Sequence, residues 1–333
     1  MTQDVSLALI PEWIQQYQQI IALYIEKEFS RELPELDLLG LQELEGSSRI
    51  RAVLTLLWCE ALEGDIQRAT PVAVAYELAH AAALIQDDII DGSETRQGEK
   101  SLVARHGIAK SLLASNALLF NVPKLLAEST KSVTVDTAAK LLEVLGECCH
   151  DATLGEFLDL ELAKKETVTE EEYLRMVRKK TGALVAASCV SGAILGRGPQ
   201  KESLDIAFGF GESIGTAYQI QDDVMDILGT EAALGKPGFS DLQSGKTSLV
   251  LIHLQKCCTT EEKRLVLFLK KQGFIAPRDA EILRTLVTKY GSAKYALDIA
   301  TAYAEKAASI LRQLKDSTAR HRLLELSNFL IQR

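Results

Sequence analysis

The sequence is poor in the residues that break or bridge a chain. Only 7 prolines fall in 333 residues, so long helices are permitted almost throughout. The 6 cysteines form no Cys-x-x-Cys and no regular framework, and they include the adjacent pairs Cys148/Cys149 and Cys257/Cys258. A disulfide scaffold is not indicated. The thiols read as small hydrophobes on helix faces, in a reducing and hence cytoplasmic compartment. The 5 histidines are scattered, without His-Glu-x-x-His, which argues against zinc. Lysine and arginine number 37 against 46 aspartates and glutamates, a formal net charge of -9. A nucleic-acid partner, which needs clustered cations, is not expected. No apolar run reaches the roughly 18 residues of a membrane span. The opening MTQDVSLALIPEWIQQ has neither a basic start nor a long apolar core, so no secretory signal is expected.

The rest is ordinary for a globular protein, with 47% hydrophobic and 25% charged residues. Helical stretches are expected near residues 6–29, 49–63, 70–91, 109–129, 133–165, 167–195, 203–228, 241–257, 261–272, 278–289 and 293–331. Thr70-Pro71 reads as a helix start and Gly92 as a stop. Thr169 and Glu172 have capping-box spacing. Alternating apolar and polar runs are almost absent, so no sheet is expected. The stretch 229–245, rich in Gly, Ser and Asp, reads as a loop. Stretches 70–91 and 203–228 are apolar around most of their circumference, as in the interior of a helical bundle. No segment has linker character. The expectation is an all-α fold with a single domain over residues 1–333.

Two near-repeats stand out: LIQDDIID, ending at Asp91, and QIQDDVMD, ending at Asp226. On a helix, Asp87 and Asp91 share a face, as do Asp222 and Asp226. Asp88 and Asp223 complete the clusters. Like charges at this spacing repel, and helix C-termini disfavour anions. One copy alone reads equally well as a solvated acidic helix end. Two copies point to a cation, and Mg²⁺ suits carboxylates that share it with substrate phosphates. Basic residues able to meet the same phosphates are present: Arg96 soon after the first cluster, Lys180-Thr181 read as the end of a helical stretch, and Lys236 and Lys246 flanking the loop after the second cluster.

These residues resemble the trans-isoprenyl diphosphate (polyprenyl) synthases, from about residue 46 to the end. DDIIDGSETRQG is similar to the first aspartate-rich motif of that family, DDxxDxxxxRRG, and ELAH (Glu77 to His80) to the segment before it. GEFLDLE resembles GQxxDL with Glu156 in place of Gln, and KKTGALVAAS resembles the family's Lys-Thr motif. QIQDDVMDILGTEAALGKPGFSDLQSGKTSL is similar to the second motif, and NFLIQR to the usual C-terminal end. The resemblance implies a helical bundle around a central cavity, of isoprenoid synthase type, working as a homodimer. It implies three Mg²⁺ ions on Asp87, Asp91 and Asp222. Arg96, Lys180 and Lys236 would hold an allylic diphosphate. Thr181 and Gln221 would place oxygen dipoles near the developing cation. The implied reaction is ionisation of a prenyl diphosphate, attack by isopentenyl diphosphate and proton loss.

The sequence departs from that pattern in the acceptor half. Where the family has GGKRxRP, this chain has GSSRIRA: Arg49 and Arg51 remain, but Ser48 replaces Lys and Ala52 replaces Pro. Gln97 replaces the second Arg of RRG, leaving Arg51 and His80 a poor diphosphate cradle. Losing two charge-assisted contacts would weaken acceptor binding by about two orders of magnitude. Three readings stay open: elongation with isopentenyl diphosphate, cyclisation or prenylation of another acceptor, and a non-catalytic subunit of a heteromeric synthase. His80 reads equally as a hydrogen-bonded core histidine.

Chain length is read from the stripe behind Asp87. Ala83 and Ala82 are small and would leave the cavity open, with Ala79 and then Tyr76 further along. Tyr76 lies roughly 16 Å back along the helix. As a floor it would favour a product of C20 or somewhat longer; otherwise it is a core or dimer-interface aromatic.

Overall fold

The structure is a computed structural model and describes residues 11–29, 48–96, 98–130, 133–229 and 238–331. It is all-α, as the patterning indicates. The helices are α1 Glu12–Phe29, α2 Ile50–Ala61, α3 Ile66–Asp91, α4 Leu102–Thr130 and α5 Val135–Ala163, then α6 Glu170–Val177, α7 Ala183–Arg197 and α8 Lys201–Leu228. After these come α9 Ser240–Gln243, α10 Leu249–Cys257, α11 Thr260–Gln272, α12 Pro277–Lys289, α13 Ser292–Leu311 and α14 Thr318–Ile331.

Several expected boundaries move for identifiable reasons. The helix α3 starts not at Thr70-Pro71 but at Ile66, because the Asp65 carboxylate accepts the Gln67 N–H at 2.9 Å. Pro71 sits inside the helix just past its first turn, and the Thr70 hydroxyl donates to the Ile66 carbonyl at 2.8 Å. Gly92 ends α3 in the left-handed conformation, φ 64°. The run 241–257 is split by Gly245, φ 76°, and α10 restarts with the Ser248 hydroxyl as its cap. The run 293–331 breaks between α13 and α14, where Ser317 caps by accepting the Arg320 N–H. A small sheet does exist. Strands β1 Thr95–Arg96 and β2 Glu99–Lys100 pair antiparallel, too short to leave an alternation in the sequence.

The capping box of Thr169 and Glu172 forms as read. The far end of α6 was not legible. Residues Arg178–Gly182 form a π-turn that joins α6 to α7 without a break, so Lys180-Thr181 does not end a helix. Such single-turn widenings place side chains off the regular helical repeat.

The core has two apolar clusters. The helix α8 serves both, with Ala207, Phe210 and Ile214 in one and Ile220, Val224 and Ile227 in the other. Close packing depends on small residues. At Gly192 of α7 an added Cβ would lie 2.3 Å from the Thr55 carbonyl oxygen of α2. All six cysteines are unbridged. Among the described residues no helix is long and apolar enough to cross a membrane.

Candidate active site

The C-terminal turn of α3 carries Asp87, Asp88 and Asp91, and the β1–β2 hairpin folds Arg96 back onto it. Arg96 grips Asp88 with two hydrogen bonds, Nε to Oδ2 at 2.8 Å and Nη2 to Oδ1 at 2.6 Å. Its Nη2 also lies 3.6 Å from Asp87 Oδ2. Asp88 is 1% exposed, so its carboxylate is committed to holding Arg96 rather than facing the open side.

Asp87 and Asp91 meet two lysines from distant parts of the chain. Lys180, on the π-turn, places its Nζ 3.2 Å from Asp87 Oδ1, 2.8 Å from Asp159 Oδ2 and 2.6 Å from Glu156 Oε2. Lys246, between α9 and α10, pairs with Asp91 and lies 3.6 Å from Asp87. Burial alone would raise the Asp87 carboxyl. The charges of Lys180, Lys246 and Arg96 outweigh it and hold the group below the ordinary carboxylate range. Asp91, with Lys246 as its main cation, is pushed up by burial. Lys180 is half-buried, which works against its charge, but Asp159, Asp87 and Glu156 hold it firmly protonated.

The second cluster lies on α8 and its three carboxylates diverge. Asp222 is exposed. Asp223 is buried and accepts from the Tyr173 hydroxyl at 2.6 Å and from Gln219 Nε2 at 2.8 Å. Burial, reinforced by Asp241 and Asp222, raises it well above the ordinary range. Asp226 accepts from the Ser240 N–H at 3.1 Å, the Ser240 hydroxyl at 2.7 Å and the Asp241 N–H at 3.3 Å. It therefore anchors α9, the segment that leads to Lys246.

The π-turn links the two motifs. While Lys180 faces Asp87, the next side chain, Thr181, donates its hydroxyl to Gln219 Oε1 at 2.7 Å, and Gln219 in turn donates to Asp223. Gln219 was not singled out from the sequence. The glutamine named there, Gln221, is buried on α8, and its Oε1 has no hydrogen-bond partner among the described residues. Asp159 and Glu156 were likewise given no role, although their i, i+3 spacing on α5 puts them on one face.

On the acceptor side, the Glu77 carboxylate is 1% exposed and accepts the Ala52 N–H at 2.9 Å, capping α2 from α3. Burial raises its pKa, with Arg51 the main opposing charge. Arg49 has a left-handed backbone, φ 50°, and donates to the Gln18 carbonyl at 3.0 Å. Burial, then the charges of Arg51 and Arg96, hold the His80 imidazole well below its usual pKa. Gln97 and Lys236 lie outside the described residues.

Of the two alanines behind Asp87, Ala83 is exposed, while Ala82 is buried and its carbonyl accepts the Ser115 hydroxyl of α4 at 3.1 Å. Ala79 is 5% exposed, and the fully buried Tyr76 shares a 2.7 Å hydrogen bond with Ser191 of α7. A separate cleft of 660 Å³ lies on the far side of the π-turn, with Val144, Ala187, Leu204 and Lys179 in its lining. It includes none of the aspartates of the two motifs.

An all-α scaffold that gathers helix-end carboxylates, half-buried lysines and a threonine is suited to an enzyme acting on an organic diphosphate. The model of the polyprenyl synthetase family matches residues 41–286. The chain is 32% identical to a short chain isoprenyl diphosphate synthase of Methanothermobacter thermautotrophicus, over 96% of this chain and 97% of that protein. It is similar to the crystal structure of a geranylgeranyl pyrophosphate synthetase from Pyrococcus horikoshii, with a TM-score of 0.86 and 33% identity over 96% of this chain and 97% of that one. It is also similar to a polyprenyl synthase from Caulobacter crescentus complexed with calcium and isoprenyl diphosphate, with a TM-score of 0.82 and 27% identity over 89% and 88% of the two chains. The protein belongs to the polyprenyl synthetase family and is an enzyme of the trans-prenyl diphosphate synthase kind.

Proposed function

We propose that the protein condenses an allylic prenyl diphosphate with isopentenyl diphosphate, in the presence of Mg²⁺, to give a trans-polyprenyl diphosphate of about C20 or longer, the length set by the depth to Tyr76. The observation that carries this reading is the π-turn, whose Lys180 faces Asp87 and whose Thr181 reaches Gln219 beside the second motif.

The donor set fits Mg²⁺, since Asp87, Asp91 and Asp222 offer only hard oxygen ligands. Among the described residues no three such groups stand together as a complete metal site. When bound, Mg²⁺ stabilises charge on the leaving diphosphate. Lys180, Lys246, Arg96 and Lys236 would add cations to the same group. Thr181 and Gln219 or Gln221 would direct oxygen dipoles at the allylic carbon. Ala83 and Ala79 would admit the apolar tail, and Tyr76 would end its path. Arg49, Arg51 and His80 would receive the second diphosphate.

Ser48 and Gln97 favour a second reading, in which the ionised substrate cyclises or prenylates another acceptor. One assay separates the two. The protein is incubated with Mg²⁺ and geranyl, farnesyl or geranylgeranyl diphosphate, with and without labelled isopentenyl diphosphate. Labelled longer diphosphates support elongation. Hydrocarbon or alcohol from the allylic substrate alone supports the second reading, and no turnover of any allylic substrate overturns both.

A homodimer is part of the same proposal. On α4 the apolar side chains Ile108, Leu112 and Phe120 recur at helical spacing and are exposed, Phe120 by 77%, and Phe157 of α5 is exposed as well. Such a stripe suits burial against a second copy. A cytoplasmic location agrees with six unbridged cysteines.

A further inference from the structure

We propose that Glu156 is a positioning residue that weakens the protein's hold on the substrate and product diphosphate, through the charge it places on Lys180. The inference rests on the reading of Lys180 as a diphosphate-binding cation.

The ammonium of Lys180 has three protons to donate. Asp159 Oδ2 at 2.8 Å and Asp87 Oδ1 at 3.2 Å accept two of them, and Glu156 Oε2 forms an ion pair with the same nitrogen at 2.6 Å. A diphosphate can reach Lys180 only by displacing one of these carboxylates. Asp87 is the one free to move, because Lys246 and Arg96 also lie within 3.6 Å of it. Glu156 has no such alternative: its other oxygen, Oε1, is buried without a hydrogen-bond partner among the described residues. After the exchange Lys180 would still face two carboxylates, Glu156 and Asp159, together with the arriving anion. One positive charge would then serve three negative groups.

The family pattern has Gln at this position. Its amide oxygen can accept from the same ammonium with no net charge. The difference made by Glu156 is therefore electrostatic rather than steric. It raises the free energy of the diphosphate-bound state and lets Lys180 snap back to a ready partner when the diphosphate leaves. Product release commonly limits turnover in closed sites, so a looser grip favours turnover over affinity.

The test is calorimetric titration of inorganic pyrophosphate, with Mg²⁺, into the full-length protein and its Glu156→Gln and Glu156→Asp variants. Thermal unfolding is recorded for each. Glu156→Gln should bind pyrophosphate about tenfold tighter, the scale of one like-charge contact removed from a partly buried site. The KM for the allylic diphosphate should fall with it, without a rise in kcat. Glu156→Asp, which keeps the charge, should bind like the parent. Equal or weaker binding by Glu156→Gln overturns the proposal. Equal tightening by Glu156→Asp also overturns it, since position rather than charge would then decide. If none of the three proteins binds pyrophosphate, the diphosphate reading of Lys180 fails and this inference fails with it.

Discussion

Gly155 of α5 packs backbone to backbone against Lys180, so closely that an added Cβ would lie 2.1 Å from the Lys180 nitrogen and 2.4 Å from its Cα. The contact seats the π-turn against the face of α5 that carries Glu156 and Asp159. Gly155→Ala should therefore push the turn outward. We expect a loss of about 1–3 kcal/mol in stability, the usual scale of an overpacked contact, and a fall in kcat larger than any rise in KM. Denaturant unfolding and steady-state kinetics check both.

Thr181, Gln219, Asp223 and Tyr173 form one hydrogen-bonded chain. Gln219→Leu should leave the Thr181 hydroxyl and the buried Asp223 each short of a partner. It should lower kcat by at least about tenfold, the scale of one hydrogen bond lost to a charged group. Gln221→Leu breaks no hydrogen bond seen in the described residues and should have the smaller effect. The reverse order in kcat would restore Gln221 to the role first read for it.

The sequence was most informative where a local rule decides. Prolines, caps and apolar periodicity yield the helices, and the Thr169–Glu172 box forms as its spacing indicates. The boundary at Thr70-Pro71 failed because Asp65 provides a better cap upstream. The first acidic motif was legible as a cluster because Asp87 and Asp91 lie one turn apart. The burial of Asp88 under Arg96 was not, since it depends on a hairpin too short to leave a pattern. Nor was the division of labour on α8, where only tertiary contacts send Asp226 to Ser240 and Asp223 to Tyr173. The π-turn was invisible for the same reason: no residue of Arg178–Gly182 demands it, whereas the close packing against Gly155 needs three dimensions to be seen.

Acid should loosen the entry to α6. The Glu172 carboxyl, bonded first to Lys165 and then to the Thr169 N–H, is drawn down from 4.5 to about 2. A carboxyl lowered in the folded state contributes stability that is complete above the unfolded value and is lost as the pH falls through the folded one. The contribution is therefore full above about pH 4.5 and gone near pH 2. Glu172 is partly exposed to solvent, so salt should reduce the effect. Glu172→Gln should unfold at a lower temperature than the parent at pH 7, and the gap should close as the pH approaches 2. A gap that is constant with pH would refute this assignment.

Tyr76 makes a separable prediction. Tyr76→Phe keeps the ring and loses only the bond to Ser191, so product length should not change. Tyr76→Ala opens the space beyond Ala79 and should lengthen the products, read by chromatography of the dephosphorylated alcohols. Removing a buried aromatic costs about 3–5 kcal/mol, so the assay is best run well below the variant's unfolding temperature. Unchanged length in Tyr76→Ala would remove the floor from this position.

The central claim is that the acidic motifs of α3 and α8 hold one diphosphate between them through Mg²⁺. Its most direct test is calorimetric binding of an unreactive thiolo analogue of geranylgeranyl diphosphate, with Mg²⁺, to the parent protein and to Asp87→Asn and Asp222→Asn. Both substitutions should weaken binding by at least about tenfold, and the parent should lose comparable affinity when Mg²⁺ is chelated. Full affinity in Asp222→Asn, or affinity indifferent to Mg²⁺, would contradict it.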